Sequence, residues 1–288
     1  MAQDLSGALF TKYTPILDEA YKAISLTSKL DTSDDLVQYT NGAHTVLVQK
    51  MSMQGLADYD RATGYVAGEL TMTNESIAFN YERGRMFSVD FLDNEETAGI
   101  AYGRMAGEFL RSYVVPEIDA VRFAKYAGLA GTHPANATLS TGAWYNEVSD
   151  AWETLTENEV PESDRHLFIT AAGYKDIMNK NLTDSKVFFD MFSSVTIVPQ
   201  SRFYESVTLN ANGTGGYSRT SGANNINFMV IHKPAVIQIV KHQNAKVITP
   251  QANQTADAWK FGYRVYGLND VYDNKVKGIY LHTSEVTA

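Results

Sequence analysis

Arg83 and Arg85 alternate along a stretch in which Phe79, Tyr81, Phe87 and Phe91 occupy the same odd positions. A guanidinium offers fixed donors to carboxylates, and a cation left unpaired among aromatic rings is costly once buried. Two readings of the pair stand open: salt bridges at the rim of the subunit's own core, or charge pairing with a neighbouring copy. The 33 Asp and Glu residues against 24 Lys and Arg supply partners for either.

Other residue types that could do chemistry are present without the spacing that chemistry needs. Glu95 and Glu96 could form an acid/base pair, but they open a helical pattern, where carboxylates satisfy free N–H groups and the helix dipole. Gly213-Thr-Gly-Gly resembles a phosphate cradle, yet no strand is expected to run into it and no helix start follows, so a loop is expected. His44, His133, His166, His232, His242 and His282 are scattered, with no pair within five residues, wider than the usual ligand spacing on one element. Gly-x-Ser-x-Gly and P-loop patterns do not occur, and zero cysteines remove disulfides, thiolate metal sites and thiol nucleophiles. The expectation is a chain with no catalytic residue, no cofactor and no metal.

The elements that would position Arg83 and Arg85 are unusual. Residues 77–91 alternate with period 2 over about fifteen positions, well beyond the roughly 5–6 residues of an ordinary strand. After Asp93-Asn94 the period becomes helical. Tyr102, Met105, Ala106, Phe109, Leu110, Tyr113, Val114, Ile118 and Val121 form one apolar stripe, in phase across Pro116. A kinked but continuous helix over 95–127 is expected, spanning roughly 50 Å. Such a rod suits an extended, plate-like subunit.

Upstream, residues 1–11 read as an extended arm and 14–31 as a helix opened at Thr14-Pro15. Strands are expected at 45–53 and 65–73, with an exposed loop at 54–64 and a turn at Asn74-Glu75. Downstream, helices are expected at 144–158 (Trp144, Val148, Trp152 and Leu155 inward) and 173–179, with a helical turn at 234–241. Strands are expected at 167–171, 195–198, 226–231, 245–249, 259–266 and 278–281, the last two joined as a hairpin. Residues 210–225 read as a loop. No internal repeat is found. Strands, then mixed elements, then strands again suggest an α+β fold with an inserted domain.

The 288 residues suffice for one large or two ordinary domains, and 44% hydrophobic with 20% charged residues is a globular composition. No apolar run approaches the ~20 residues of a membrane span, and the opening Met-Ala-Gln-Asp-Leu-Ser carries no secretion pattern, so no membrane partner is expected. Five Asn-x-Ser/Thr triplets, at Asn74, Asn136, Asn181, Asn212 and Asn253, are read as chance. The net charge of −9, without clustered Lys or Arg, argues against a dedicated nucleic-acid reader.

Three strings together resemble the major capsid proteins of tailed phages of Gram-positive bacteria. They are Met53-Gln-Gly-Leu-Ala-Asp-Tyr-Asp-Arg-Ala-Thr-Gly-Tyr, Arg83-Gly-Arg-Met-Phe-Ser-Val-Asp-Phe-Leu-Asp-Asn-Glu-Glu-Thr-Ala-Gly and Val115-Pro-Glu-Ile-Asp-Ala-Val-Arg-Phe-Ala-Lys. Ile226-Asn-Phe-Met-Val-Ile-His and Phe261-Gly-Tyr-Arg-Val-Tyr-Gly-Leu-Asn-Asp-Val-Tyr agree, so the resemblance covers roughly residues 40–283.

The resemblance implies the Hong Kong 97-like fold: an N-terminal arm and first helix (1–44), an extended hairpin loop (45–85) and a peripheral domain (86–134) with a spine helix at 95–127. An axial domain (135–250) and return strands of the peripheral domain (251–288) complete it. It implies a structural protein of the virion, assembled in the host cytoplasm into pentamers and hexamers of an icosahedral head around double-stranded DNA. Tyr59, Arg61, Tyr65, Arg83 and Arg85 are then the candidates for contact between subunits. The implied partners are further copies of the chain, a portal at one vertex, packaged DNA held without sequence preference, and a separate scaffolding protein, because the name-giving phage's N-terminal scaffolding segment has no counterpart here. That phage's lysine–asparagine cross-link is not carried over; Lys50 lies near the hairpin but nothing marks it as reactive. An encapsulin-type nanocompartment shell is the alternative on the same fold.

Overall fold

The computed structural model describes residues 25–32, 38–39, 45–91, 107–180, 182–210 and 214–284. The expected arm, most of the first helix, Glu95, Glu96 and the first part of the spine helix lie outside them. Residues 25–32 hold a 3-10 turn, Ser28–Leu30, and not the expected end of an α-helix.

Among the described residues twelve strands form four sheets. Strands β1 (Gln38–Tyr39), β2 (Thr45–Met53) and β3 (Leu70–Ala78) make an antiparallel sheet in that order. Strand β4 (Tyr81–Asp90) lies at the edge of a second antiparallel sheet, beside β11 (Ala258–Val271), which pairs on its other side with β10 (Val236–Ile248). The third sheet has the order β12 (Ile279–Ser284), β9 (Asn225–His232), β5 (Arg165–Thr170), β6 (Ser194–Val198), with only the last pair parallel. A small hairpin is formed by β7 (Val207–Leu209), just before the expected 210–225 loop, and β8 (Tyr217–Arg219), inside it.

The long ribbon expected at 77–91 is two strands. It breaks at Phe79-Asn80, where Asn80 bonds backbone groups of Asn269: its Nδ2 donates to the carbonyl at 2.7 Å and its Oδ1 accepts from the N–H at 3.2 Å. Below the break the chain pairs with β2, and above it with β11. Asn74 and Glu75, expected to turn, sit mid-strand opposite Gln49 and Val48, because an exposed ribbon accepts polar residues without a desolvation cost.

The expected helical turn at 234–241 is a 3-10 turn over Lys233–Ala235 followed by strand, since Val236, Ile237 and Ile239 bury against neighbouring strands. The expected hairpin joining 259–266 to 278–281 is absent. Strand β11 runs on to Val271, a 3-10 segment Asp273–Gly278 follows, and β12 crosses to β9 in another sheet. The boundary placed at residue 250 is crossed twice for the same reason. Strand β10 joins β4 and β11, and β12 joins the sheet of β5 and β9.

Residues 107–109 are helical, Leu110–Val114 form a π-helical turn, and helix α1 runs Val115–Gly128. The continuous path through Pro116 is therefore as expected, with the π turn as the accommodation for a residue that lacks an N–H. Val115 N–H donates to the Leu110 carbonyl, five residues back. The extra residue rotates the buried face. Leu110 and Val115 are buried while Tyr113, expected in the stripe, is 63% exposed.

Helix α1 and the π turn before it bridge two sheets. Leu110, Val115 and Ile118 pack with Tyr81, Phe261, Tyr263 and Val265, whereas Phe123 and Tyr126 pack with Phe168, Phe203 and Met229. The opposite face of the β5–β9 sheet is covered by helices α2 (Trp144–Glu157), α3 (Ala171–Met178) and α4 (Leu182–Phe189). Strands β5 and β9 are thus buried on both sides, as their continuous apolar runs require. On α2, Trp144, Val148 and Leu155 are buried as expected, together with Ala151, and Trp152 packs against the same core while only partly buried. The Trp152 ring is half-buried under the Arg165 guanidinium, 5.3 Å away.

Candidate assembly surface

Strands β2 and β3 pair from Thr45↔Ala78 to Met53↔Leu70, making a two-stranded ribbon beyond the short β1. Its base is anchored: Val46 is buried with Ile237, Ile239 and Leu268, and Ile77 and Phe79 pack beside them. The hairpin thus ends at Ala78, short of the expected residue 85. From Met51 to Asn74 the residues are exposed, apart from half-exposed Gly64. Met51, Met53, Leu56, Tyr59, Tyr65, Val66, Leu70 and Met72 are each more than half exposed. Two strands alone are marginal in water, and a contiguous apolar surface of this kind marks an interaction site.

The tip is a self-contained turn. The Asp60 carboxylate accepts from Ala62 N–H (2.8 Å) and Thr63 Oγ1 (3.1 Å), and its carbonyl accepts from Gly64 N–H (2.8 Å). Those bonds to the ionised form, the Ala62 backbone bond foremost, hold its pKa below the usual carboxylate value. Gly64 has φ +83°, which L side chains rarely adopt. Of the five candidate residues, Tyr59 and Tyr65 come together here, ring centroids 4.9 Å apart, with exposed Arg61 between them in sequence.

Arg83 and Arg85 lie elsewhere, on β4. Arg83 Nε donates to Glu117 Oε1 at 2.9 Å, and its Nη1 and Nη2 donate to the carbonyls of Asn210 and Gly216, each at 3.2 Å. Glu117 also accepts from Tyr81 OH at 2.9 Å. Arg83 thus takes the intramolecular alternative, fastening the β7–β8 hairpin to β4 and α1. Exposed Arg85 lies over Gly215, whose φ is +67°; an added Cβ there would stand 2.4 Å from Arg85 Nη1. The glycine-rich segment joins two strands and turns carbonyl oxygens toward an arginine, the reverse of the N–H cradle a phosphate needs.

A buried polar network went unforeseen. Asp119, fully buried, accepts from Ser25 Oγ (2.9 Å), Thr27 Oγ1 (2.8 Å) and the N–H groups of Leu26 (3.1 Å) and Thr27 (3.4 Å). Arg122 donates to Thr27 Oγ1 and Asn269 Oδ1, and Gln238 Nε2 donates to the Thr27 carbonyl and Asp31 Oδ1. These bonds hold residues 25–32, where the first helix was expected to end, across α1 and β10. No local pattern could reveal it, because the partners lie some ninety to two hundred positions apart.

Among the described residues no group of three or more His, Asp or Glu is placed to hold a metal ion. His166, His232 and His282 are buried, and burial is the main cause lowering the pKa of each, His282 to about 4. His282 is then neutral at pH 7, so its 3.7 Å contact with Glu147 is not an ion pair at that pH.

Neither a protein-family model nor a curated protein matches the sequence. Solved structures do match the fold. A virus-like particle from Pyrococcus furiosus is 12% identical at a TM-score of 0.59, covering 95% of this chain and 99% of that one. The capsid of cyanophage P-SCSP1u is 12% identical at 0.58, covering 90% and 87%. The mature capsid of bacteriophage PhiM1 is 8% identical at 0.58, covering 85% and 83%. The chain has the Hong Kong 97-like fold that phage capsid subunits share.

Proposed function

We propose that this chain is the major capsid subunit of a tailed phage, a structural protein that assembles with copies of itself into an icosahedral head around double-stranded DNA. The observation that carries the proposal is the hairpin. A ribbon exposing eight large apolar side chains is stable when other copies cover it. The likeness to phage capsid structures over most of the chain supports the same reading. In this reading α1 with the β10–β11–β4 sheet forms the peripheral domain, and the β12–β9–β5–β6 sheet with α2–α4 forms the axial one. Tyr59, Arg61 and Tyr65 at the hairpin tip, and Arg85 on β4, contact neighbouring subunits. A scaffolding protein and a portal act during assembly in the host cytoplasm, and the packaged DNA is held without sequence preference. The shell itself needs no catalytic residue.

A second reading, an encapsulin-type compartment, draws on the 99% coverage of the Pyrococcus furiosus particle. Negative-stain microscopy of the chain expressed with and without its genomic neighbours separates the two. Phage-sized heads that depend on a scaffold and package DNA support the first; small shells formed by the chain alone around a protein cargo support the second. A chain that stays dispersed under every condition overturns both.

A further inference from the structure

Three of the chain's nine methionines fall on one short stretch of two paired strands. Met51 stands directly opposite Met72, and Met53 follows two residues on, opposite Leu70. Side chains alternate between the faces of a strand, and directly paired residues share one, so the three thioethers project from the same side of the hairpin. All are open to solvent, Met51 at 52%, Met53 at 67% and Met72 at 55% exposure. Burial against another surface would be served as well by the β-branched residues that strands favour. Thioethers in register bring what those residues lack, three sulfur donors that can converge.

The geometry allows them to converge. A direct cross-strand pair holds its Cβ atoms about 5 Å apart, next-but-one residues on a strand lie about 7 Å apart, and diagonal neighbours about 7–8 Å. A point equidistant from the three Cβ atoms then lies roughly 4 Å from each. Methionine is unbranched, with three rotatable bonds, and can turn its sulfur toward such a point from each of these positions.

The donor set defines the ligand. The other residues at the paired positions 51–53 and 70–72 are Ser52, Leu70 and Thr71, none of them charged. No histidine occurs between residues 45 and 78, and the chain has no cysteine. Mg2+ and Ca2+ require oxygen ligands, and Zn2+ takes thiolate, imidazole or carboxylate. Neutral, polarisable thioethers select Cu(I) and ions of the same softness.

We propose that Met51, Met53 and Met72 form a thioether site for a soft monovalent metal ion, Cu(I) or its close analogue Ag(I), on the exposed side of the hairpin. All three ligands come from one chain, so the inference stands apart from the shell reading and is tested on dispersed subunits.

Ag(I) in chloride-free buffer is the probe. With 13C-labelled methionine methyl groups, one equivalent should move the signals of Met51, Met53 and Met72 together. The signal of Met86, which is 50% exposed on β4, should stay in place. Leucine keeps the volume and the apolar character of methionine but offers no donor. A triple Met51→Leu, Met53→Leu, Met72→Leu variant should therefore bind Ag(I) about tenfold or more weakly by calorimetric titration, since losing ligands costs at least what losing a supporting residue does. Met53→Leu alone gives the same reading with a smaller loss, should the triple variant not fold. Equal movement of Met86 and the hairpin signals at one equivalent would reduce the effect to exposed thioethers in general and overturn the site. Unchanged affinity in the folded variants would overturn it too, and an equal response to Zn(II) would overturn its selectivity for a soft ion.

Discussion

Arg83 and Glu117 are joined by a 2.9 Å ion pair that fastens strand β4 to helix α1, with Tyr81 OH donating to the same carboxylate oxygen. Glu117 is buried and Arg83 retains 26% side-chain exposure, so removing the cation leaves a carboxylate with one remaining side-chain donor in a poorly solvated place. Arg83→Ala should destabilise the dispersed subunit by about 1–3 kcal/mol, below the full cost of breaking a buried pair because solvent reaches the guanidinium. Glu117→Gln should cost less, since it still accepts from Tyr81. Denaturant titration of the dispersed subunit measures both. Unchanged stability with a failure only in assembly would place the role of Arg83 between subunits.

Phe109 meets Phe87 edge-on at 4.7 Å and Tyr263 at 6.3 Å, but it is only half-buried. Phe109→Ala should cost about 1–3 kcal/mol, less than the 3–5 expected for a fully buried ring. Tyr113→Ala, one π turn away and largely exposed, should stay within about 0.5 kcal/mol. Equal losses from the two would mean that the π turn does not rotate the buried face.

Asp119 accepts four bonds from residues 25–27, so its loss strands several buried donors at once. Asp119→Ala should lower stability by roughly 3 kcal/mol or more, and the protection of backbone amides at 26–32 against hydrogen exchange should fall first. Global destabilisation with residues 26–32 still protected would contradict this anchoring role.

Deleting residues 54–64 removes the tip without touching the base contacts of Val46 and Ile77. The deletion should leave the subunit folded by circular dichroism and abolish shell formation. Normal particles from it would remove the hairpin from assembly.

His166, His232 and His282 have folded pKa values lowered from 6.5 by burial, His282 to about 4. The unfolded chain then binds more protons than the folded one below about pH 6.5, so their contribution to stability is complete above that pH and lost as pH falls toward 4. Denaturation midpoints should decline over this window, and His282→Gln should flatten the decline. A midpoint independent of pH from 7 to 4.5 would show these histidines to be solvated.

Short-range periodicity determined a good part of this protein. Strand β2 spans residues 45–53 as expected, helix α2 begins at Trp144 with Val148 and Leu155 inward, and the chain passes Pro116 without ending its helix. These are properties of adjacent residues, fixed by side-chain spacing of 2 or 3.6. The exposed turn at the hairpin tip was legible for the same reason, because Asp60 and Gly64 set it locally. What pairs with what was not legible. A period-2 run reads the same whether it is one strand or two, and only Asn80, bonding to Asn269, divides β3 from β4. Likewise the continuation of β11 and the crossing of β12 to β9 depend on which sheet has an open edge, a fact held by strands far away in sequence. Arg83 had two equally sound partners on paper, and Glu117 became the partner because α1 lies across β4. The sequence determined which residues were apolar, charged or turn-forming; the tertiary structure decided which of them meet, because pairing and burial depend on three-dimensional neighbours that a linear pattern does not contain.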